Sequence, residues 1–279
     1  MKTYEIFTTH ELKPWEKHDF FIFSPHAWHD RVWLDFIKKS LIKNEFDDEI
    51  LYSYIKHEAD IWTKEIALKV FENIKSNHKN IKLCVILWLV PRAFCDLNRN
   101  FERACPEIVK SEVWQWLNDE TMNEIENIIL SSNYWLHLHT MNSKNNVMTW
   151  KFCPRKTNED LVYFLNNWYT WSWRNDNILT DDNEWNYHSF QELDNIFIKN
   201  WQENNINLDK NIAYKFEKHF TATRLISKVP SSLIEITKGN IATENTKDFI
   251  DGSKIILDEK KVQKYSEIIV EGIVEFFGK

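Results

Sequence analysis

Residues 82–90 read KLCVILWLV, and Pro91 ends the run. From Leu83 to Val90 every side chain is apolar, so the segment has no polar face to turn toward water. A run of this length stopped by proline reads as a core strand, the best in the chain. It is far too short to cross a bilayer. Working outward, Phe20 to Ser24 (FFIFS) is a second short apolar run ending at Pro25, and reads as another buried strand. Apolar residues between the two recur at helical spacing. Val32, Trp33, Phe36, Ile37 and Leu41 predict a helix over 30–43, and Ile66, Val70, Phe71 and Ile74 predict one over 60–75. Downstream, residues 107–130 read as one or two helices, Tyr134 to Leu138 and Ser232 to Thr237 as strands, and 258–277 as a closing amphipathic helix. Strands alternating with helices predict an α/β fold, a three-layer α/β/α domain with a mixed central sheet. We expect one domain over 1–279, with insertions near 103–130 and 160–205.

Composition narrows the function. Only 4 glycines are present, and no GxGxxG or GxxxxGK[ST] pattern occurs, which sets aside the common nucleotide-binding loops. The net charge is -7 with Lys and Arg dispersed among acids, which argues against nucleic acid as a partner. Cys84, Cys95, Cys105 and Cys153 form no CxxC pair, and the N-terminal residues contain no apolar signal segment. Free thiols and a cytoplasmic location, without membrane attachment, are the expectation.

Reactive residues recur where strands end, the place where open α/β sheets build their sites. Ser24-Pro-His-Ala-Trp-His follows the first strand and carries His26 and His29. His57-Glu-Ala-Asp carries Glu58 and Asp60 at an expected helix start. Pro91-Arg-Ala-Phe-Cys-Asp-Leu-Asn-Arg carries Arg92, Asp96, Asn98 and Arg99. His137-Leu-His-Thr places two imidazoles on one face of a strand, and Leu233-Ile-Glu-Ile places Glu235 inside an apolar one. Each has an ordinary explanation when taken alone. A single histidine near a strand end is commonly a hydrogen-bonded structural residue, and arginines beside an aspartate often form a structural ion-pair network.

Their order along the chain is more specific. SPHAWHD, HEADIW, PRAFCDLNR, LHLHTM and SSLIEITKGNI, with NIAYKF upstream of the last, together resemble the N-formylglutamate amidohydrolase family over roughly residues 20 to 245. RAFCDLNR is the strongest single piece. The chain departs from that family's pattern in three places. His137 stands where the family has Asp, Thr140 where it has Ser, and Trp28 and His29 where a glycine follows the Pro-His motif. The Trp-rich WYTWSWR region has no counterpart that aligns.

The resemblance implies a core shared with zinc carboxypeptidases, one Zn²⁺ per chain, and hydrolysis of a C–N amide bond. The substrate it implies is an N-acyl amino acid or peptide bearing a carboxylate. It assigns His26, Asp60 and His139 to the metal, with Glu58 or His29 as alternatives to Asp60 and His137 as an alternative ligand. This set suits zinc, which takes three N or O ligands and keeps one position open in catalytic sites. Glu235 would be the general base, Arg92 the partner of the oxyanion, and Asn98 and Arg99 the grip on the substrate carboxylate, with Asp96 orienting the arginines. Rival readings are a catalytically retired binding protein on the same fold, a peptide-modifying enzyme docking through its Trp-rich region, and a hydrolase using Cys95.

Overall fold

The structure, a computed structural model, describes residues 3–27, 34–40, 46–92, 125–141, 157–159, 162, 177–180, 189–210, 228–249 and 251–279. Its strands are β1 (Tyr4–Thr8), β2 (Phe20–Ser24), β3 (Leu83–Trp88), β4 (Trp135–Met141), β5 (Asn177–Thr180), β6 (Leu208–Lys210) and β7 (Ser231–Thr237). Its α-helices are α1 (Leu34–Ser40), α2 (Asp48–Glu58), α3 (Thr63–Asn77), α4 (Gln191–Glu203), the single turn α5 (Lys238–Ile241) and α6 (Glu259–Phe277).

Among the described residues the seven strands form one sheet in the order β1-β3-β2-β4-β7-β5-β6. The four central strands β3, β2, β4 and β7 run parallel. β1 joins one edge antiparallel to β3, and β5 pairs antiparallel with β7 at the other side. This is the expected α/β fold with a mixed sheet. Every side chain of β2 and β3 is buried, so both faces of the sheet centre are covered, as the unbroken apolar runs require.

One face of the sheet is covered by α3, α4 and α6. Phe20 of β2 meets Phe277 of α6 edge-on at 5.7 Å, and Ser24 at the end of β2 donates to Thr63 at the start of α3. α6 packs on both α3 and α4. Where α6 crosses α4 a glycine is needed, because a Cβ on Gly272 would lie 2.5 Å from the ring of Phe197. The opposite face carries Phe21, Phe23, Trp135 and His137 in mutual contact. No helix among the described residues is long and apolar enough to cross a membrane.

Three elements differ from the sequence expectation. The helix expected over 60–75 starts at Thr63, because the Asp60 N–H donates to the His26 carbonyl at 2.9 Å and leaves the helical path. His57 and Glu58 close the preceding helix α2 instead of opening a new one. That helix carries its own start signal in Asp47, whose carboxylate accepts from the N–H groups of Glu49 and Ile50. β1 is a half-exposed edge strand, too short and too mixed in polarity to show a period. Most of the 103–130 and 160–205 segments, and all of WYTWSWR, lie outside the described residues.

Candidate metal centre

In the sheet β3 lies on one side of β2 and β4 on the other. The strand order therefore reverses at β2, and in open α/β sheets such a switch point, at the carboxyl ends of the strands, is the usual place for a site. His26 lies just past the end of β2, and His139 lies near the end of β4. Asp60 comes from the loop between α2 and α3.

These three side chains converge. One ligand atom from each lies within 4.8 Å of the others, and all three residues are buried. Asp60 Oδ2 is 3.1 Å from His26 Nδ1 and 2.7 Å from His139 Nδ1, so one carboxylate oxygen faces two imidazole nitrogens. The two rings meet edge to face at 5.0 Å. Glu58, half-buried at the end of α2, is not part of this set. His29, Asp96, Asn98 and Arg99 lie outside the described residues.

Electrostatics favour an anion at Asp60. Burial opposes ionisation, but His26 and the hydrogen bonds from both imidazoles outweigh it and hold this carboxyl well below the ordinary carboxylate range. Burial lowers the pKa of His139 against the opposing pull of Asp60. His139 Nε2 is buried and has no hydrogen-bond partner among the described residues. Two imidazoles and a carboxylate in a desolvated pocket form an N,N,O donor set that could hold a metal ion, and its chemistry fits Zn²⁺.

Around this set stand three more groups. Arg92, just past β3, reaches Asp60 Oδ1 at 3.7 Å and keeps its side chain 31% exposed. Glu235 is the in-register neighbour of His139 on the adjacent parallel strand, so the two side chains leave the same face of the sheet. Burial raises its carboxyl to about 8, with Asp60 adding to the rise and Arg92, His26 and Lys238 opposing it. His137 lies one pleat further down β4, its ring stacked 5.9 Å from His139 and tilted against Trp135 at 3.8 Å. Burial first, and then His139 and His26, hold its imidazole well below the ordinary range, so it is uncharged.

The loop that carries Asp60 is tied to three strand ends. The His26 carbonyl beyond β2 accepts from the Asp60 N–H at 2.9 Å. The Thr140 hydroxyl of β4 donates to the Ile61 carbonyl at 3.2 Å. Lys238, directly after β7, donates through Nζ to the Ala59 carbonyl at 2.8 Å. Thr63 completes the turn by donating its hydroxyl to the Asp60 carbonyl at 2.9 Å. Trp62 is held at φ 81, a left-handed conformation unusual for a bulky side chain and found where surrounding contacts fix a functional loop. Lys238 was not singled out by sequence; its signal is a lysine three residues beyond Glu235, closing an apolar strand.

No protein-family model matches the sequence, and no curated protein matches it either. Among solved structures, N-formylglutamate amidohydrolase from Ralstonia eutropha JMP134 is 11% identical. It superposes with a TM-score of 0.57 over 100% of this chain and 98% of its own. A gene product of Agrobacterium tumefaciens is 12% identical, with a TM-score of 0.59 over 99% of this chain and 94% of that one. At such identities the likeness is one of fold, and the fold of this chain is that of N-formylglutamate amidohydrolase.

Proposed function

We propose that this chain is a zinc-dependent amidohydrolase that cleaves a C–N amide bond in an N-acyl amino acid or peptide bearing a carboxylate. The reading rests chiefly on one observation. Three buried potential ligands from separate parts of the chain, His26, Asp60 and His139, meet within 4.8 Å at the carboxyl ends of parallel strands. The sequence resemblance and the shared fold support it, and we place its work in the cytoplasm.

When bound, Zn²⁺ would lower the pKa of a coordinated water to about 7 and polarise the substrate carbonyl. The chain's own residues supply the remainder. Glu235, on the same face as His139, takes the proton of the attacking water and passes it to the departing amine nitrogen. Its desolvated carboxyl, raised to about 8, is suited to both steps, since it binds a proton near neutral pH and can release it again. Arg92, beside Asp60, supplies positive charge where the carbonyl oxygen becomes an oxyanion. The resemblance assigns Asn98 and Arg99 the grip on the substrate carboxylate, a role in which a lysine would not replace the two-donor guanidinium.

The test is metal analysis of the purified protein together with a hydrolysis screen over N-acyl amino acids and short peptides. The expected result is about one zinc per chain, lost when His26 and His139 are both replaced by alanine. Release of free amine should depend on that zinc. A protein that binds such ligands without metal and never releases amine would establish the retired scaffold in its place.

A further inference from the structure

Lys238 is among the least exposed charged residues of the fold, at 2%. Lysines are almost never buried so completely unless something specific repays the loss of water. Its Nζ donates to the Ala59 carbonyl at 2.8 Å and the His57 carbonyl at 3.4 Å. Both acceptors are main-chain groups; Ala59 immediately precedes Asp60, and His57 lies three residues before it. Holding α2 to the sheet would need no charge, and burial already pulls this ammonium down to about 8. A charge kept here at such cost points to the residues it addresses.

The consecutive residues Ala59, Asp60 and Ile61 are each held by a different strand end: Lys238 after β7, the His26 carbonyl after β2, and Thr140 on β4. Two of these anchors belong to, or adjoin, the metal-binding histidines. The third is Lys238, three residues beyond Glu235. We infer that Lys238 is a positioning residue that fixes the Asp60 carboxylate against His26 and His139 and ties it to the strand carrying Glu235. The role rests on the metal-hydrolase reading above. It acts through the main chain of the loop, and Lys238 touches no reacting atom.

The experiment compares the wild type with Lys238→Met, which keeps the apolar stem and removes the donor. Amide hydrogen exchange is followed in the metal-free protein, and zinc affinity is measured by competition with a chromophoric chelator. Exchange at the Asp60 and Thr63 amides should accelerate by roughly tenfold while β3 and α6 are unchanged. Zinc should bind about 10- to 100-fold more weakly, the usual effect of losing a group that orients a metal ligand. Unchanged exchange at Asp60 overturns the proposal, as does acceleration spread evenly through the core, which would make Lys238 a general element of stability. Local acceleration with unaltered zinc affinity overturns it as well. A wild type that takes up no zinc sinks the hydrolase reading, while exchange at Asp60 still decides whether Lys238 holds the loop. Should Lys238→Met not fold, Lys238→Gln is read by the same measurements.

Discussion

Replacing Asp60 by Asn tests the centre most directly, because it keeps shape and removes charge. In the metal-free protein Asp60 accepts from two imidazoles at 3.1 and 2.7 Å while only 2% exposed. Hydrogen bonds to a charged acceptor contribute about 1.5–3 kcal/mol each, and those between neutral groups about 1 kcal/mol. The Asn carbonyl can still accept one of them at the lower value, and burying an amide costs less than burying a carboxylate. The net loss works out at about 3 kcal/mol. For a chain of this length that is about 6 °C in melting temperature. Zinc adds a second difference. At a free concentration of 100 times Kd it should stabilise the wild type by about 2.7 kcal/mol, or about 5 °C, and Asp60→Asn by almost nothing. The assay is thermal unfolding with and without zinc, after chelator treatment. Because the folded pKa of Asp60 is depressed, its stabilisation is present above about pH 4 and lost as pH falls toward that depressed value. Asp60→Asn should therefore show a shallower acid slope than the wild type. If the variant gains the same stabilisation from zinc as the wild type, Asp60 is not a ligand and the reasoning fails.

Glu235→Gln should retain zinc while turnover falls by about 100- to 10,000-fold, the range for loss of a general base; loss of metal together with activity would assign Glu235 to the metal instead. Burial lifts the Cys84 thiol to about 12, so iodoacetamide at pH 8 should leave it unmodified in the native protein and label it after unfolding, as read by peptide mass spectrometry. Rapid native labelling would contradict its place in the core. Burial opposes ionisation of Asp251, but the His57 ring 3.7 Å away and the hydrogen bond from the Ser253 N–H outweigh it and lower the carboxyl to about 2. Its contribution is full above about pH 4 and disappears as pH falls through 2, so Asp251→Asn should cost about 1–2 kcal/mol in urea unfolding at pH 7 and much less at pH 2.5. An equal cost at both pH values would refute the assignment.

The parts of this fold legible in sequence are those where one physical rule acts alone. KLCVILWLV and FFIFS are apolar on both faces, so burial fixes them as interior strands, and the structure places them side by side in register. The closing helix is legible because its apolar stripe is continuous and Asp258 caps it. Competing rules hide the remainder. α2 has a weaker apolar stripe, and the reactive His57-Glu-Ala-Asp at its end draws the eye to a helix start. The break at Ala59 and Asp60 is caused by the His26 carbonyl, a partner more than thirty residues away that no local pattern reveals. For the same reason the convergence of His26, Asp60 and His139 is suggested by motif order but measured only by distance. Lys238 could not be distinguished from a surface lysine until the carbonyls it faces were known.

The two substitutions that set this strand apart from the family pattern bear on the site in different ways. Thr140 keeps the hydroxyl, and that hydroxyl anchors the Asp60 loop at Ile61, so the extra methyl changes little. His137 changes the charge. A carboxylate there would be a second anion in the same desolvated column as His139. An imidazole packed between Trp135 and His139, held uncharged by burial, adds none. Two uncharged imidazoles and one carboxylate around a divalent cation would leave one positive charge. Arg92 adds another beside Asp60, and Glu235 when ionised removes one. In a chain whose net charge is -7, the loaded site would thus be a local positive region walled by low-dielectric side chains. Such a region draws in anionic substrates ahead of neutral ones. An uncharged imidazole at position 137 therefore leaves Asp60 and Glu235 as the carboxylates of the described site, and so favours a substrate bearing a carboxylate over a neutral one.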